Sequence, residues 1–416
     1  MGPITLFDKS FLQSLSEDES MWFDNFFLAN VCPIFYVETL ADLGKAVRSD
    51  RTPEQEVGLI ADKFPEMQCG LCAHHAILCF NNLMGRDIPM TGQIPLPPGK
   101  HLVKSDMGIG YVFQESPETE AFLRWRNREF EEIERLYARR WRESLGSLDL
   151  GRIAEFFSSR GLNAKSCTSL LQAKTYAERI VRSWENTLDG MKAALTCLNM
   201  SRSASNQIID LWISLGCPPL TDYAPYAAYV LTVELFFRIS LASKHISTSR
   251  PSGRMDIAYL YYLPFCQAFV SSDNLHRRCA PLFLRDNQEF VWGEDLKVAL
   301  SKLNALYMQF PEETRFKGIM SFAGEPPKEG NCLVQTLWDR YHPGWRRKKK
   351  ETLPRDSLEQ AELIRKLNKV AQSPRVEPSG EEELAMGDPR FMLFQRRVHL
   401  KRGNWYQLPK GFRSDE

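Results

Sequence analysis

Long apolar runs are missing from this 416-residue chain. No segment reaches the ~20 consecutive apolar residues of a membrane-spanning helix, so we expect no membrane partner. The first residues also lack the basic, apolar and small-residue regions of a secretory signal. They do not fit a myristoylation site, because Leu6 stands where Ser or Thr is required. These absences predict a soluble protein of the cytoplasm.

Cysteine and net charge are scarce as well. Ten cysteines in a chain of this length are too few for a disulfide scaffold, and thiols stay reduced in the cytoplasm. Because they lie among apolar residues, most are expected to act as small buried side chains. A formal net charge of only +1 does not indicate nucleic-acid binding by the molecule as a whole. A phosphate-binding glycine loop, a dinucleotide fingerprint and a nucleophile elbow are also missing.

The charge that is present is unevenly distributed. Residues 331–416 contain 18 of the 53 Lys and Arg residues and 12 of the 52 Asp and Glu residues. This end of the chain is therefore basic, and the remainder is slightly acidic. The run Arg346, Arg347 and Lys348 is the best candidate for positioning the phosphates of a substrate. A basic aromatic segment follows at residues 391–412. A solvated tail is the alternative interpretation of both segments, and it remains open.

The first ~50 residues alternate between strand and helix patterns. The β-prone run Ile4–Phe7 ends at Asp8, and apolar residues at helical spacing follow over residues 11–27. A second apolar, partly β-branched run covers residues 31–37, and a helical pattern continues over residues 39–47. This alternation predicts the α/β class, with a largely parallel sheet covered by helices.

A different pattern fills the middle of the chain. Residues 56–248 show mostly helical periodicity and little strand signal, including a charged helix predicted over residues 117–145. Strands and helices alternate again later, with strands predicted over residues 266–271 and 288–292. We therefore expect two halves of one α/β domain (residues 1–55 and 249–330), a mostly helical insertion between them (56–248) and a basic C-terminal extension with a flexible linker (331–416).

Acidic residues stand where the predicted strands end. Asp8, Glu38 and Asp273 each follow an apolar run, and Asp256 begins the helical run that leads to the last of these strands. The carboxyl ends of neighbouring parallel strands open on one crevice, so carboxylates there converge although they are distant in sequence. Their repulsion must be offset by protonation or by a divalent cation. Hard oxygen ligands favour Mg²⁺ or Mn²⁺.

Each of these acidic residues also has an ordinary structural interpretation. Asp8 and Asp273 can be turn or N-cap residues after a strand. Glu38 can face the dipole of a following helix, and Asp256 can be an N-cap. The occurrence of all four in this order favours a shared metal site over four unrelated roles.

The same segments resemble a known nuclease family, the PIN domains. Residues 6–10 (LFDKS) look like the first strand of that family with its aspartate. Residues 32–40 (CPIFYVETL) resemble the second strand and the glutamate after it. Residues 256–273 are similar to the terminal signature, in which an aspartate begins a helix and the next strand ends in a hydroxyl residue and Asp. The resemblance covers residues 4–47 and 254–300, and the long interval between these two segments departs from it.

The resemblance implies a PIN-like parallel sheet interrupted by a helical insertion, and a metal-dependent nuclease that cleaves RNA rather than DNA. It makes Asp8, Glu38, Asp256 and Asp273 catalytic ligands of Mg²⁺ or Mn²⁺, in a two-metal site that activates water. Ser272 would hydrogen-bond a carboxylate or a phosphate. Protein partners are expected at the insertion or at the C-terminal extension. Two alternatives stay open: a non-catalytic PIN-like scaffold or interaction protein, and a DNA-directed nuclease of a defence or toxin-like system.

Two other patterns offer different chemistry. Cys69, Cys72 and His75 are zinc-ligand types at ligand spacing, but no second Cys/His pair accompanies them. A helical core segment is preferred to a zinc site, because Cys72, His75 and Cys79 share one helical face. Arginine and aromatic residues crowd residues 124–142 and could contact nucleic acid. The glutamates among them favour a solvated helix face with intrahelical ion pairs.

Overall fold

A computed structural model describes residues 2–45, 51–97, 100–105, 108–113, 116–152, 155, 167–184, 186–347, 375–376, 392–394 and 397–411. Lys348 lies outside these ranges. Five strands form the central sheet: β1 (Ile4–Phe7), β2 (Leu28–Val31), β3 (Cys69–Leu71), β6 (Ala268–Ser271) and β7 (Glu289–Trp292). The strand order is β3-β2-β1-β6-β7, and every neighbouring pair is parallel. The predicted α/β class with a parallel sheet is therefore confirmed.

Two strands of this sheet differ from the prediction. The second strand ends at Val31, and the run predicted as a strand over residues 31–37 is mostly helix α3 (Pro33–Leu40). Pro33 opens this helix, where its fixed φ suits the first turn and its missing N–H costs nothing. Strand β3 lies where helix was expected, and its three residues are too few to show a periodicity. The strands predicted over residues 4–7, 266–271 and 288–292 are confirmed as β1, β6 and β7.

The helices of the first part cover the sheet and connect its strands. They are α1 (Lys9–Ser14), α2 (Glu17–Phe26), α3, α4 (Pro53–Ala61) and α5 (His75–Leu83). The single helix predicted over residues 11–27 is divided because Ser16 caps α2, in a capping box with Glu19. The pattern predicted over residues 39–47 gives the end of α3 and the 3-10 turn Ala41–Gly44.

Helices dominate the described part of residues 114–249. They are α6 (Pro117–Arg126), α7 (Glu132–Gly146), α8 (Leu170–Ser183), α9 (Leu188–Cys197), α10 (Arg202–Ser214), α11 (Leu220–Tyr223) and α12 (Pro225–Ala242). The long helix predicted over residues 117–145 is broken between α6 and α7, where Arg128 has a φ of 61°. A second sheet combines β4 (Lys100–Ser105), β5 (Gly108–Phe113), β8 (Arg375–Val376) and β9 (Met392–Phe394) in the order β8-β4-β5-β9.

Helix α12 is long and apolar enough to cross a membrane by length and composition alone. In this fold, however, 72% of it is buried inside the protein. It packs against α5 and α8 as a core helix. Such burial supports the expected soluble protein, and the cytoplasmic location stays a prediction.

The chain then returns to the central sheet. Helix α13 (Gly253–Ala258) continues into a 3-10 helix (Tyr259–Phe265) that leads to β6, and α14 (Asn274–Cys279) with a 3-10 turn (Ala280–Leu282) leads to β7. Helix α15 (Gly293–Tyr307) runs back along the sheet and packs on α2. The remaining helices are α16 (Glu312–Arg315), α17 (Ile319–Ala323), α18 (Leu333–Tyr341) and the 3-10 turn Trp345–Arg347.

The described end of the chain, residues 397–411, packs into the core. It contains the hairpin of β10 (Lys401–Arg402) and β11 (Trp405–Tyr406). Trp405 is fully buried, and its Nε1 donates to Asn304 Oδ1 at 2.7 Å. Arg402 is 1% exposed, and its guanidinium lies 3.3 Å from Asp24 Oδ2. This part of the basic aromatic segment is therefore integral to the fold rather than a solvated tail.

Candidate functional site

The strand order of the central sheet reverses between β1 and β6. From β1 the chain adds β2 and β3 on one side, and later β6 and β7 on the other. Open α/β sheets bind ligands outside the carboxyl ends of the strands at such a reversal. Asp8 follows β1 directly, and Ser272 and Asp273 follow β6. We call the space between them the acidic crevice.

Asp8 is held by hydrogen bonds from both sides of the acidic crevice. Its Oδ1 caps α1 by accepting from the Phe11 N–H at 2.9 Å. Its Oδ2 accepts from Ser10 Oγ at 2.6 Å and from Ser271 Oγ at 2.8 Å, and lies 3.3 Å from His276 Nδ1. Burial raises the pKa of Asp8, but the hydrogen bond and the charge of His276, with the bonds from Ser10 and Phe11, lower it overall. Asp8 is thus both an N-cap and a buried carboxylate of the crevice.

His276 is the cation of this crevice, and it is 1% exposed. Its Nε2 lies 2.7 Å from the backbone oxygen of Asp256, which can only accept, so Nε2 carries a proton. Its Nδ1 lies 2.7 Å from Ser271 Oγ and 3.3 Å from Asp8 Oδ2. Burial lowers the pKa of His276, but the hydrogen bond and charge of Asp8 and the charge of Asp256 raise it to about 9. The ring is therefore an imidazolium at neutral pH.

Ser271, His276 and Asp8 have the residue types of a hydrolase triad. Ser271 is fully buried at the end of β6, and its Oγ donates to Asp8. Because the His276 ring is already protonated, it has no lone pair to take the proton of a serine nucleophile, and Ser271 has no exposed surface. These three residues therefore link β1, β6 and α14 and do not form a nucleophilic site.

Glu38 lies on α3, which begins at the carboxyl end of β2. Its Oε2 accepts from the Tyr259 hydroxyl at 2.8 Å, and its Oε1 lies 3.6 Å from Lys9 Nζ. Lys9 is buried, and its Nζ also lies 3.1 Å from Asp42 Oδ1. Burial lowers the pKa of Lys9, but the charges of Glu38 and Asp42 raise it overall. Lys9 therefore neutralises part of the negative charge at this end of the crevice.

Asp256 and Asp273 have no comparable cation. Among the described residues, neither carboxylate forms an ion pair within 4.0 Å. Asp273 is the N-cap of α14 and accepts from the Leu275 N–H at 2.6 Å, while its own N–H donates to Ser271 Oγ at 2.9 Å. Asp256 lies inside α13, so the N-cap interpretation does not apply to it.

The four predicted carboxylates influence one another electrostatically. Burial is the largest cause that raises the pKa of Asp256, to about 7. The attraction of His276 opposes this rise, and the negative charges of Asp273, Glu38 and Asp8 add to it. Because charge interactions weaken with distance, the coupling indicates that Asp273, Glu38 and Asp8 lie in the neighbourhood of Asp256.

The arrangement of ligands that a metal ion needs is nevertheless not formed by these four residues, all of which the structure describes. Within the ranges that the structure describes, no three His, Cys, Asp or Glu side chains are arranged to hold a metal ion. Asp8 faces His276, and Glu38 faces Tyr259 and Lys9. The fold thus brings the acidic residues to one edge, where Asp8 and Glu38 have partners within the protein.

Ser272 lies half-buried beside the amino end of α15. Its N–H donates to Ser10 Oγ at 3.3 Å, and its buried Oγ has no hydrogen-bond partner among the described residues. A Cβ added to Gly293 would lie 2.1 Å from this Oγ. The residue is placed at the crevice as predicted, but its hydroxyl bonds none of the described carboxylates.

Arg346 and Arg347 lie near the amino ends of the strands, whereas the acidic crevice lies at their carboxyl ends. Helix α18, which precedes them, packs at the amino ends of the strands, where the Tyr341 hydroxyl donates to the Gln267 carbonyl at 2.9 Å. Arg346 pairs with Asp339 at 2.7 Å. The structure therefore does not bring these two arginines to the predicted carboxylates, because a whole strand length separates the two edges.

The arginines of α6 and α7 are mostly engaged by carboxylates of other elements. Arg126 lies 2.7 Å from Glu66, and Arg128 lies 2.8 Å from Asp62. The prediction of a solvated helix face with intrahelical ion pairs is therefore wrong. The break between α6 and α7 turns these side chains towards α4 and the segment after it.

Cys72, His75 and Cys79 do not share the predicted helical face, because Cys72 lies before α5. Cys69 belongs to β3, Cys72 follows it, and His75 opens α5. His75 Nδ1 lies 3.2 Å from the Tyr262 hydroxyl, and burial, together with the charge of His74, lowers its pKa to about 3. None of the ten cysteines, all of which lie in the described ranges, is in a disulfide, and seven are buried, which confirms their expected role as small core residues.

Comparison with known proteins adds no identity to this site. The chain matches no protein-family model, no curated protein and no solved structure. What the fold and the site define is an α/β protein with an acidic crevice at the reversal of a parallel sheet. The PIN-like resemblance stays a prediction that rests on the residues themselves.

Sequence reasoning missed several residues of the crevice. Lys9, Ser271 and His276 form its internal hydrogen bonds, and Tyr259 holds Glu38. Lys9 lies within residues 6–10 and Ser271 within residues 256–273, so both could be predicted as neighbours of Asp8 and Asp273. His276 gave no such signal, because a lone histidine on a short helix is compatible with many roles.

Proposed function

We propose that the acidic crevice is the active site of a metal-dependent nuclease that hydrolyses phosphodiester bonds, with RNA as its preferred substrate. The observation that carries this proposal is the gathering of Asp8, Glu38, Asp256 and Asp273 at the reversal point of the sheet. Ligands of open α/β sheets bind at this place. The preference for RNA rests on the PIN-like resemblance alone.

Charge supports a cation in the crevice. Five carboxylates lie there, on Asp8, Glu38, Asp42, Asp256 and Asp273. Lys9 pairs with Glu38 and Asp42, Lys45 and Arg142 also pair with Asp42, and His276 pairs with Asp8. Asp256 and Asp273 keep no cation within 4.0 Å among the described residues. Carboxylate oxygens are the ligands that Mg²⁺ and Mn²⁺ prefer.

The residues fit such a cation in ligand type and in charge. Asp8, Glu38, Asp256 and Asp273 would hold it, and a bound divalent ion supplies an activated water and stabilisation of the leaving oxygen. His276 would keep Asp8 in place from the protein side, since its Nε2 is anchored to the Asp256 carbonyl. Tyr259 would do the same for Glu38 through its hydroxyl.

A second function, that of a non-catalytic scaffold, is favoured by one specific observation. Lys9 Nζ lies between Glu38 and Asp42, and His276 pairs with Asp8, so two of the four carboxylates already have internal counter-charges. Internal counter-charges of this kind offset part of the repulsion that a bound cation would otherwise have to offset. Helices α6 to α11 would then serve as the partner-binding surface.

A cleavage assay separates the two functions. Labelled single-stranded RNA and DNA are incubated with the full chain in Mn²⁺, in Mg²⁺ or in EDTA. The Asp8→Asn/Asp273→Asn variant is compared with Asp210→Asn, which changes an exposed carboxylate of α10. We expect metal-dependent cleavage by the wild type and by Asp210→Asn, and at least a hundredfold loss in the double variant.

The same assay also tests which polymer is cleaved and whether the protein is a non-catalytic scaffold. Faster cleavage of DNA than of RNA would replace the RNA proposal with the DNA-directed nuclease. If folded wild type and folded double variant are equally inert in both metals, the nuclease proposal fails and the scaffold is favoured. Circular dichroism of each variant establishes that the comparison is between folded proteins.

A further inference from the structure

An aromatic ring stands one strand away from the acidic crevice. Trp292 is the last residue of β7, and its Cα is in register with that of Ser271 on β6. Ser271 Oγ lies 2.8 Å from Asp8 Oδ2, and neighbouring strands are ~4.8 Å apart. Trp292 is half-buried, so part of its indole faces solvent at this edge.

A guanidinium lies over this ring. The Cζ atom of Arg277 is 4.9 Å from the ring centroid of Trp292. Arg277 follows His276 on α14, so the helix that sets His276 against Asp8 also places Arg277 beside the crevice. Arg277 is exposed, and no carboxylate lies within 4.0 Å of it in the described ranges. Its charge is therefore available to a ligand, unlike the charges of Arg126 and Arg128.

The chemistry of the pair suits a nucleic-acid backbone. A guanidinium without a carboxylate partner binds phosphate oxygens through two parallel N–H donors. The indole face holds the guanidinium by a cation–π interaction, which reduces the conformational freedom lost on binding. The exposed part of the indole also offers a surface on which an unpaired base can stack.

We propose that Arg277 binds a backbone phosphate of single-stranded RNA beside the acidic crevice, and that Trp292 positions its guanidinium. This inference rests on the proposed nuclease function and assigns the path of the substrate across the carboxyl ends of β6 and β7. A single strand is favoured over a duplex, because stacking on Trp292 needs an unpaired base. Arg277 is the binding residue, and Trp292 is the positioning residue.

Binding in EDTA tests the contact without cleavage. Fluorescence anisotropy follows a labelled single-stranded RNA as the full chain is added at several salt concentrations. Arg277→Ala is expected to weaken binding about tenfold and to reduce the slope of log K against log salt by about 0.7, the value of one phosphate contact on a single strand. The matched control is Arg179→Ala, which removes an exposed arginine stacked 4.7 Å from the Tyr176 ring, and it should leave the affinity unchanged.

The positioning role of Trp292 needs its own variants. Trp292→Ala is expected to weaken binding to a similar extent, whereas Trp292→Phe keeps an aromatic face and should retain most of the affinity. The double variant Trp292→Ala/Arg277→Ala should bind more weakly than Arg277→Ala, but by less than the loss caused by Trp292→Ala alone, since Trp292 acts partly through Arg277 and partly by stacking a base. Fully additive losses would overturn the positioning role.

The outcomes separate this inference from the nuclease itself. Unchanged binding by folded Arg277→Ala overturns it, and so does a loss in Arg346→Ala without one in Arg277→Ala, which would locate the strand at the opposite edge. If RNA is cleaved with metal and Arg277→Ala keeps the wild-type KM, the nuclease stands without this contact. If the wild type neither binds nor cleaves, both proposals fail together.

Discussion

The imidazole Nδ1 of His276 lies 3.3 Å from the Oδ2 of Asp8, and the two side chains are only 1% and 5% exposed. The contact joins the helix after β6 to the end of β1 across the point where the sheet reverses. A buried charge pair that loses one partner typically costs about 3–5 kcal/mol, because the other charge remains without compensation. The stability of the crevice should therefore respond strongly to pH and to substitution.

The stabilisation from His276 is expected to disappear at high pH. Its pKa is raised to about 9 from an ordinary value of 6.5, so its contribution is complete below about pH 6.5 and is lost as the pH rises through 9. His276→Gln should lower the free energy of unfolding by about 3 kcal/mol at pH 6 and by much less at pH 10. Urea unfolding in EDTA at both pH values measures this. An equal loss at pH 6 and pH 10 would contradict a charged His276.

Asp256 is expected to make the metal-free protein less stable as the pH rises. Its pKa is raised from 3.8 to about 7, so the folded protein holds this proton more tightly than the unfolded chain does. Stability is then lost between about pH 4 and pH 7. Asp256→Asn should match the wild type near pH 4 and exceed it at pH 8 in EDTA. Parallel stability curves for the two proteins would show that the carboxyl titrates normally.

Metal binding should release the same proton. If Asp256 is a ligand, Mn²⁺ competes with its proton, and the affinity should rise up to about tenfold per pH unit below pH 7. Isothermal titration calorimetry in buffers of different ionisation enthalpy counts the protons released. Asp256→Asn should release none and bind more weakly. Wild-type binding that is independent of pH between 5 and 7 would place the cation elsewhere.

Gly293 and Ser272 are expected to be coupled. Gly293→Ala adds a Cβ that would lie 2.1 Å from Ser272 Oγ, which should cost about 1–3 kcal/mol of stability by overpacking. Ser272→Ala removes the obstructing oxygen, so the double variant should recover a large part of this loss. A double-mutant cycle by urea unfolding measures the coupling. Without recovery, the nearby Phe11 ring at 3.1 Å would be the limiting contact.

The C-terminal hairpin is expected to depend on Arg402. Its guanidinium donates to the Phe64 carbonyl at 2.6 Å and lies 3.3 Å from Asp24 Oδ2, with no exposed side-chain surface. Arg402→Met should destabilise the protein by about 3–5 kcal/mol, because Asp24 is left buried without its cation. The control is Lys401→Met, which changes the exposed neighbour and should stay within about 0.5 kcal/mol. Equal effects would indicate a hairpin that does not depend on the buried charge.

The sheet was partly predictable because some of its strands are strong local patterns. Strands β1, β6 and β7 are apolar runs bounded by polar residues, and such runs favour a buried parallel strand. The second strand was misplaced because residues 31–37 are more apolar than β2 itself. Pro33 starts a helix there, so the local pattern and the backbone preference of one residue pointed to different structures.

The candidate site was predictable in its acidic residues and not in their partners. Carboxylates at strand ends can be expected to converge, since the topology of a parallel sheet collects such ends on one edge. No comparable rule places His276 against Asp8, because that contact depends on how α14 packs back over β6. The arginines illustrate the same limit: Arg346 lies in the more basic run, yet Arg277 is the one that lies at the acidic edge.

Local sequence alone therefore accounts for the α/β class, for three of the five central strands and for the order of the four carboxylates. These features follow from neighbouring residues and from the rule that parallel strands share an edge. Only the tertiary structure decided three other features: the pairing of Asp8 with His276, the neutralisation of Glu38 by Lys9 and the burial of Arg402. Each joins segments that are distant in sequence, and the energy of a buried charge is set by its surroundings in space.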